Sequence, residues 1–281
     1  MKKELYLITK YLKTLYKIGK IFIQQPKLGF RLLARLPEIV RGFNSSQEWP
    51  SSAVDNTLPT LSDSTAPPNP LRAYFNSHKE GKGIWKWVHY FDVYHQHFKK
   101  FVGREVHILE IGVYSGGSLE MWRNYFGSQC HVYGVDIEEA CKVYENECTK
   151  IFIGDQADRK FWKFFKKQIP RIDILIDDGG HQIEQHIATL EEMLPHLSPG
   201  GVYLCEDLHG VNSPFGFYLY GLTAGFHDTS GASETGVSPT RFQRWIKSIQ
   251  FYPYITVIEK TENPREKFIS SKHGTEWQPF L

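Results

Sequence analysis

The chain has 281 residues, of which 41% are hydrophobic, 15% aromatic and 23% charged. This composition excludes a wholly disordered chain and a fibre. Lys and Arg number 33 against 31 Asp and Glu, a formal charge of +2, so bulk charge gives no reason to expect a nucleic-acid partner. The length suits one large domain, or one domain with extensions.

The charge is unevenly placed. Residues 1–43 hold ten Lys and Arg against two Glu, a net +8, so the rest of the chain carries −6. Leu5, Ile8, Leu12, Leu15, Ile18 and Phe22 repeat at spacings of three and four, which predicts a helix over 4–24. Lys3, Lys10, Lys13, Lys17 and Lys20 fall on its other face and interrupt any signal-peptide core. Pro26 ends or kinks this helix. A second periodic stretch follows through Leu28, Leu32, Leu36 and Val40, with Arg31, Arg35 and Arg41. Such helices either lie on an anionic membrane surface, here through residues 1–24, or cover a core or a second subunit. No apolar stretch is long enough to span a membrane. Residues 44–70 are rich in Ser, Thr, Asn, Asp and Pro, as in a linker. The chain therefore reads as a basic helical extension (1–43), a linker (44–70) and a main domain (71–281).

From residue 71, strand-like and helix-like runs alternate. Val106–Ile111, 131–135, 151–153, 172–176 and 202–205 read as strands, the last after a turn at Ser198–Gly201. Helices are predicted over 118–126, 138–146, 158–168 and 183–196. This alternation implies right-handed crossovers and a parallel sheet with helices on both faces. A helix over 239–249 and a closing hairpin of 254–259 with 267–271, turning at Asn263-Pro264, complete the expected fold. Segment 208–237 is rich in Gly, Ser and aromatic residues and reads as a mobile lid. The four cysteines (130, 141, 148 and 205) form no CxxC pair, which points to a reducing, cytoplasmic compartment.

Glycines 112, 116 and 117 lie between the first strand and the first helix, at the edge where such sheets bind ligands. Dinucleotide sites prefer GxGxxG, a spacing absent here, which argues against a nicotinamide enzyme. Glu110-Ile-Gly-Val-Tyr-Ser-Gly-Gly-Ser118 instead resembles motif I of class I methyltransferases that use S-adenosylmethionine. Asp136 ends the second strand, 24 residues beyond Gly112, where a carboxylate accepts from both ribose hydroxyls. Asp155, after the third strand, matches the position that contacts adenine in this fold. The resemblance assigns the cofactor to Glu110, Gly112, Tyr114, Ser115, Gly116, Ser118, Asp136, Asp155, Gln156 and Asp177.

The fourth strand ends Asp177-Asp178-Gly-Gly-His181 and the fifth ends Glu206-Asp207. On neighbouring strands about 4.8 Å apart, these carboxylates repel unless a cation relieves them. Oxygen-only ligands favour Mg²⁺, with Ca²⁺ or Mn²⁺ as substitutes. The alternative is helix capping by each Asp. His181, beyond a Gly-Gly pair, supplies a base of near-neutral pKa, as hydroxyl methylation needs. His186 and His209 are weaker candidates.

ILEIGVYSGGSL, ILIDDGGHQ and YLCEDLHG together resemble the macrolide sugar O-methyltransferases and the cephalosporin-hydroxylase-like proteins over about residues 75–271. The resemblance implies a Rossmann-like fold with a mostly parallel seven-stranded sheet and a C-terminal antiparallel hairpin. It implies Mg²⁺ on Asp178, Glu206 and Asp207, and His181 as general base. It further implies a sugar-bearing small-molecule acceptor and a homo-oligomer, and it has Lys82-Gly83 and the stretch His89–Tyr94 help cover the cofactor. A catechol-type metal-dependent O-methyltransferase and a non-catalytic cofactor-binding scaffold at the inner face of a membrane are the competing readings. The catechol type usually carries Asp-Asn where this chain has Glu206-Asp207.

Overall fold

The structure, a computed structural model, describes residues 2–47, 68–210, 213–229, 232–233 and 236–276. It divides into two compact units, 1–66 and 67–281. The first holds helices α1 (Lys2–Gln24), α2 (Pro26–Leu33) and α3 (Leu36–Gln47). The Phe22 and Phe30 rings meet edge-on at 5.1 Å, whereas a straight helix would separate them by about 12 Å. The chain therefore turns back at Gln25-Pro26, with Gly29 seated against the Phe22 ring. α3 runs to Gln47, into the stretch expected to be linker from residue 44; residues 48–67 of that stretch lie outside the described residues.

In the second unit, Pro70 opens helix α4 (Pro70–Ser77), capped by Asn69, which accepts from the Leu71 and Arg72 amides. Helix α5 (Tyr90–Phe98) follows. Strands β1 (Val106–Ile111), β2 (Cys130–Asp136), β3 (Thr149–Ile153), β4 (Ile172–Asp177) and β5 (Leu197–Cys205) are parallel. They alternate with helices α6 (Gly117–Phe126), α7 (Arg159–Gln168) and α8 (Ile183–Met193). Beyond β5 come helix α9 (Pro214–Phe226), the short strands β6 (Ala232–Ser233) and β7 (Gly236–Val237), helix α10 (Arg241–Trp245), and strands β8 (Ile246–Tyr252) and β9 (Ile255–Lys260). The main sheet runs β3-β2-β1-β4-β5-β9-β8, with β9 antiparallel to both of its neighbours. This is the seven-stranded, mostly parallel sheet with an antiparallel end that was expected.

Alternation along the strands builds two cores. Ile108, Val132, Ile174 and Leu204 face α4–α6, with Tyr94 and Trp122. Leu109, Val135, Leu175 and Tyr203 face α7–α9, with Trp162 and Phe215.

Five expectations are corrected. Residues 139–144 form a 3₁₀ segment in place of the helix expected over 138–146. β5 begins at Leu197 and absorbs the expected turn at 198–201, with a register irregularity opposite Ile172 and Ile174. The helix expected over 239–249 stops at Trp245, because pairing with β9 draws Ile246–Tyr252 out as an edge strand. The closing hairpin is β8–β9 across Pro253-Tyr254, while Phe268 makes only an isolated bridge to Val237. The expected lid, 208–237, contains the 13-residue helix α9. Ser213 caps it by accepting from the Gly216 amide, Pro214 suits the first turn, and Phe215 and Leu219 are buried against the sheet.

Glu259 of β9 is buried, accepting from His97 Nδ1 at 2.9 Å and Lys247 Nζ at 3.0 Å. These bonds outweigh the cost of burial and hold its carboxyl down at about 2. A depressed folded pKa stabilises above the ordinary carboxyl value and is lost as pH falls from about 4.5 toward 2. Glu259→Gln is expected to cost about 1–2 kcal/mol at neutral pH and to flatten the stability profile between pH 4.5 and 2, as measured by denaturant unfolding. An unchanged acid slope would assign that slope to other carboxylates.

Candidate active site

A cavity of about 1000 Å³ opens at the carboxyl ends of β1, β2, β4 and β5. Of the residues expected to hold a cofactor, Gly112, Tyr114, Ser115, Ser118, Asp136, Asp155 and Gln156 line it, whereas Glu110, Gly116 and Asp177 are not on its wall. Asp136 Oδ2 accepts from the Val113 and Tyr114 amides at 2.8 and 3.1 Å, which ties the loop after β1 to the end of β2. Asp155 accepts from the Ala157 amide at 2.8 Å. Gly116 caps α6 with its Cα against the Tyr144 ring.

Two buried residues, Gln156 at the cavity wall and Asp177 behind it, brace the loop after β4. Gln156 Nε2 donates to Asp177 Oδ1 at 2.9 Å, and its Oε1 accepts from the Gly180 amide at 2.9 Å. Asp177 thus fixes Gln156, and Gln156 fixes the loop that carries His181. Asp177 also accepts from Tyr203 Oη at 3.1 Å. His186, one of the weaker base candidates, is buried beside Asp177 with its ring stacked on Phe215 at 4.8 Å, off the cavity wall. His209, the other, lines the cavity.

Gly112 joins the two halves of the site. Its φ is +88°, and a Cβ there would lie 2.0 Å from the Asp178 carbonyl oxygen. The end of β1 therefore packs on the backbone of the acidic loop as only glycine permits. Tyr114, His181 and Asp207 also have positive φ, at 48°, 55° and 54°. All three line the cavity. Strain of ~1–3 kcal/mol per residue collects at functional sites when the surroundings enforce it.

Asp178 and Glu206 meet, together with Glu110, around a cation that no sequence motif marked, whereas Asp177, expected to converge with them, is turned to Gln156 and Tyr203. Lys86 Nζ lies 2.5 Å from Asp178 Oδ2, 3.0 Å from Glu206 Oε2 and 3.4 Å from Glu110 Oε1, and its side chain is 4% exposed. Burial works against this ammonium, but Glu206, Asp178 and Glu110 outweigh it and raise its pKa. Glu110 is itself buried, accepting from Ser118 Oγ at 2.7 Å and Trp122 Nε1 at 3.1 Å. Burial raises the Glu206 carboxyl despite Lys86. Tyr94 Oη donates to the other oxygen of Glu206 at 2.6 Å, so both oxygens of this expected metal ligand are engaged. Lys86 rides on segment 79–89, whose backbone packs on Gly117: a Cβ there would lie 2.4 Å from the Lys82 carbonyl oxygen.

Asp178 and Asp207 are alike. Lys86 anchors one oxygen of Asp178; Tyr90 Oη anchors one oxygen of Asp207 at 2.8 Å. Their second oxygens lie 3.9 and 4.0 Å from His181 Nε2. One ligand atom from each of the three lies within 4.8 Å of the others. Ligands at about 2.1 Å around an octahedral ion stand ~2.9–4.2 Å apart, so the two aspartate oxygens could share a hard divalent cation with small side-chain shifts, leaving His181 beside it.

Residues 109–208 match a family model described as a methyltransferase domain. The chain is 33% identical over 206 residues to an 8-demethyl-8-alpha-L-rhamnosyl tetracenomycin-C 2'-O-methyltransferase of Streptomyces olivaceus, covering 66% of this chain and 53% of that protein. It is 32% identical to a demethylmacrocin O-methyltransferase of Streptomyces fradiae, covering 64% and 50%. MycE methyltransferase from the mycinamycin biosynthetic pathway, solved in complex with Mg and SAH, superposes with a TM-score of 0.57 at 26% identity, covering 75% of this chain and 57% of that one. Over residues 109–208 the chain is therefore similar to methyltransferase domains. It spans about half the length of the curated relatives it matches.

Lys86→Met removes the positive charge that three carboxylates share. The change is expected to cost about 3–5 kcal/mol in metal-free buffer. Millimolar Mg²⁺ should restore part of that loss in thermal unfolding, since a divalent ion relieves the same field. A melting temperature equal to wild type, with no Mg²⁺ response, would show that the carboxylates do not form one electrostatic unit.

Proposed function

We propose that the chain is an S-adenosylmethionine-dependent, Mg²⁺-dependent O-methyltransferase acting on a hydroxyl of a sugar or glycosylated natural product. One observation carries the reading: two free aspartate oxygens and an imidazole converge beside a glycine-lined cavity at the strand ends. The named activities of the relatives support the sugar acceptor, and MycE was solved with Mg, SAH and mycinamycin VI.

Asp136, with Gly112, Tyr114, Ser115 and Ser118, would hold the methyl donor, together with Asp155 and Gln156 across the cavity. The bound donor supplies an electrophilic methyl group. Asp178 and Asp207 would hold the metal, with Glu206 behind them beside Lys86; the metal supplies Lewis-acid polarisation of the acceptor hydroxyl. His181 Nε2 would take the hydroxyl proton as the oxygen–methyl bond forms and the donor's sulfur–methyl bond breaks, the sulfur keeping the electron pair and S-adenosylhomocysteine leaving. Lys86 and Tyr90 keep the Asp178 and Asp207 carboxylates in place, so their orientation precedes substrate binding. Trp85 and Trp87 stand at the cavity wall and offer apolar faces to a sugar or aglycone.

The test is transfer of labelled methyl from S-adenosylmethionine to a panel of rhamnosides and macrolide glycosides, with and without EDTA. EDTA-sensitive transfer to glycosides is expected, with His181→Ala lowering kcat by ~10²–10⁴ while the dissociation constant for S-adenosylmethionine changes little. Transfer confined to catechols would overturn the acceptor class. EDTA-insensitive transfer would overturn the metal.

A further inference from the structure

Within the first unit, residues 12–43 carry an apolar surface that the packing of its helices leaves open. Eleven large apolar side chains between Leu12 and Phe43 are exposed, among them Leu15 (63%), Tyr16 (74%) and Ile23 (83%). No residue of α3 is buried. At about 100° per residue, Leu12, Leu15, Tyr16, Ile18 and Ile23 share an arc of about 160° on α1. Lys13, Lys17 and Lys20 share an arc of about 60° beside it, and all three are exposed. α3 repeats the pattern, with Leu36, Val40 and Phe43 exposed at spacings of four and three and exposed Arg35 and Arg41 alongside. Soluble monomers rarely leave so many apolar groups together in water.

Charge selects the occupant. A second copy of residues 1–43 would bring +8 against +8, and like-charged faces repel. A leaflet of anionic phospholipid offers both an apolar layer and the opposite charge. No described helix is long and apolar enough to cross a membrane, so an amphipathic helix here lies in the interface. We infer that residues 12–43 form an interfacial anchor for anionic phospholipid bilayers. The apolar arcs of α1 and α3 enter the boundary between headgroups and acyl chains, and the lysines and arginines meet lipid phosphates. Phe22, packed on Phe30 and Gly29, sets the corner between α1 and α2. The inference is independent of the reaction proposed above.

The experiment is co-sedimentation of the full chain with vesicles of phosphatidylcholine alone and of phosphatidylcholine mixed with phosphatidylglycerol. Binding is expected to the mixed vesicles only and to weaken as salt is raised. K13E/K17E/K20E should reduce partitioning at least tenfold. L15S/I23S should reduce it too, and both variants should keep the circular dichroism of wild type. Equal binding to neutral and anionic vesicles, no binding, or indifference to the charge reversal would overturn the inference. A dimer in light scattering that L15S/I23S makes monomeric, with no vesicle binding, would give the surface to a second copy instead.

Discussion

Parallel pairing of β4 with β5 brings Asp178 and Glu206-Asp207 side by side at one sheet edge, and most of the site follows from the need to hold those carboxylates together. Left alone they would repel and drive one another to protonate. The chain answers with an ammonium and two phenols. Lys86 takes Asp178 and Glu206, Tyr94 takes Glu206 and Tyr90 takes Asp207. Those three side chains come from segment 79–89 and helix α5, so the part of the domain that precedes β1 is fixed over the cavity by the acids it neutralises. Glycine at 117 lets the backbone of that segment seat on α6.

The same arrangement couples the part of the cavity around Gly112 and Asp136 to the acidic part. The Asp178 amide donates to the Ile111 carbonyl at 3.0 Å, and Gly112 packs on the Asp178 carbonyl. Gln156, between Asp177 and the Gly180 amide, fixes the loop from the other side. A shift in His181 would therefore disturb backbone that also shapes the cavity near Asp136. Rigid support of this kind keeps reacting groups within the narrow tolerances that group transfer needs.

Much of this was legible in the sequence because it is written locally. The parallel strands are short apolar runs ending in Gly or Asp, and alternation with helices fixes their handedness. Gly112, Asp136, Asp178, His181 and Asp207 each sit at such an end, so chain order alone brings them to one edge. Lys86 was not legible: it meets acids 92 and 120 residues away, and a lysine between two tryptophans carries no local sign of burial. Tyr90 and Tyr94 left a faint signal, four apart on one helical face. Residues 246–249 misled because a short apolar run fits a helix or a strand equally, and only the β9 partner decides. Helix α9 was hidden by its glycines, which disfavour helix, until burial of Phe215 and Leu219 outweighed them.

On the proposed reading Asp178 and Asp207, beside His181, form a cation site. It is tested most directly by crystals grown with Mn²⁺ and S-adenosylhomocysteine, read by anomalous scattering. One strong Mn²⁺ peak is expected between Asp178 Oδ1 and Asp207 Oδ2, absent in Asp178→Asn crystals of the same form. Full occupancy of the donor cavity with no anomalous peak there, or a peak only at the distant Glu105, His107 and His131 cluster, would contradict it.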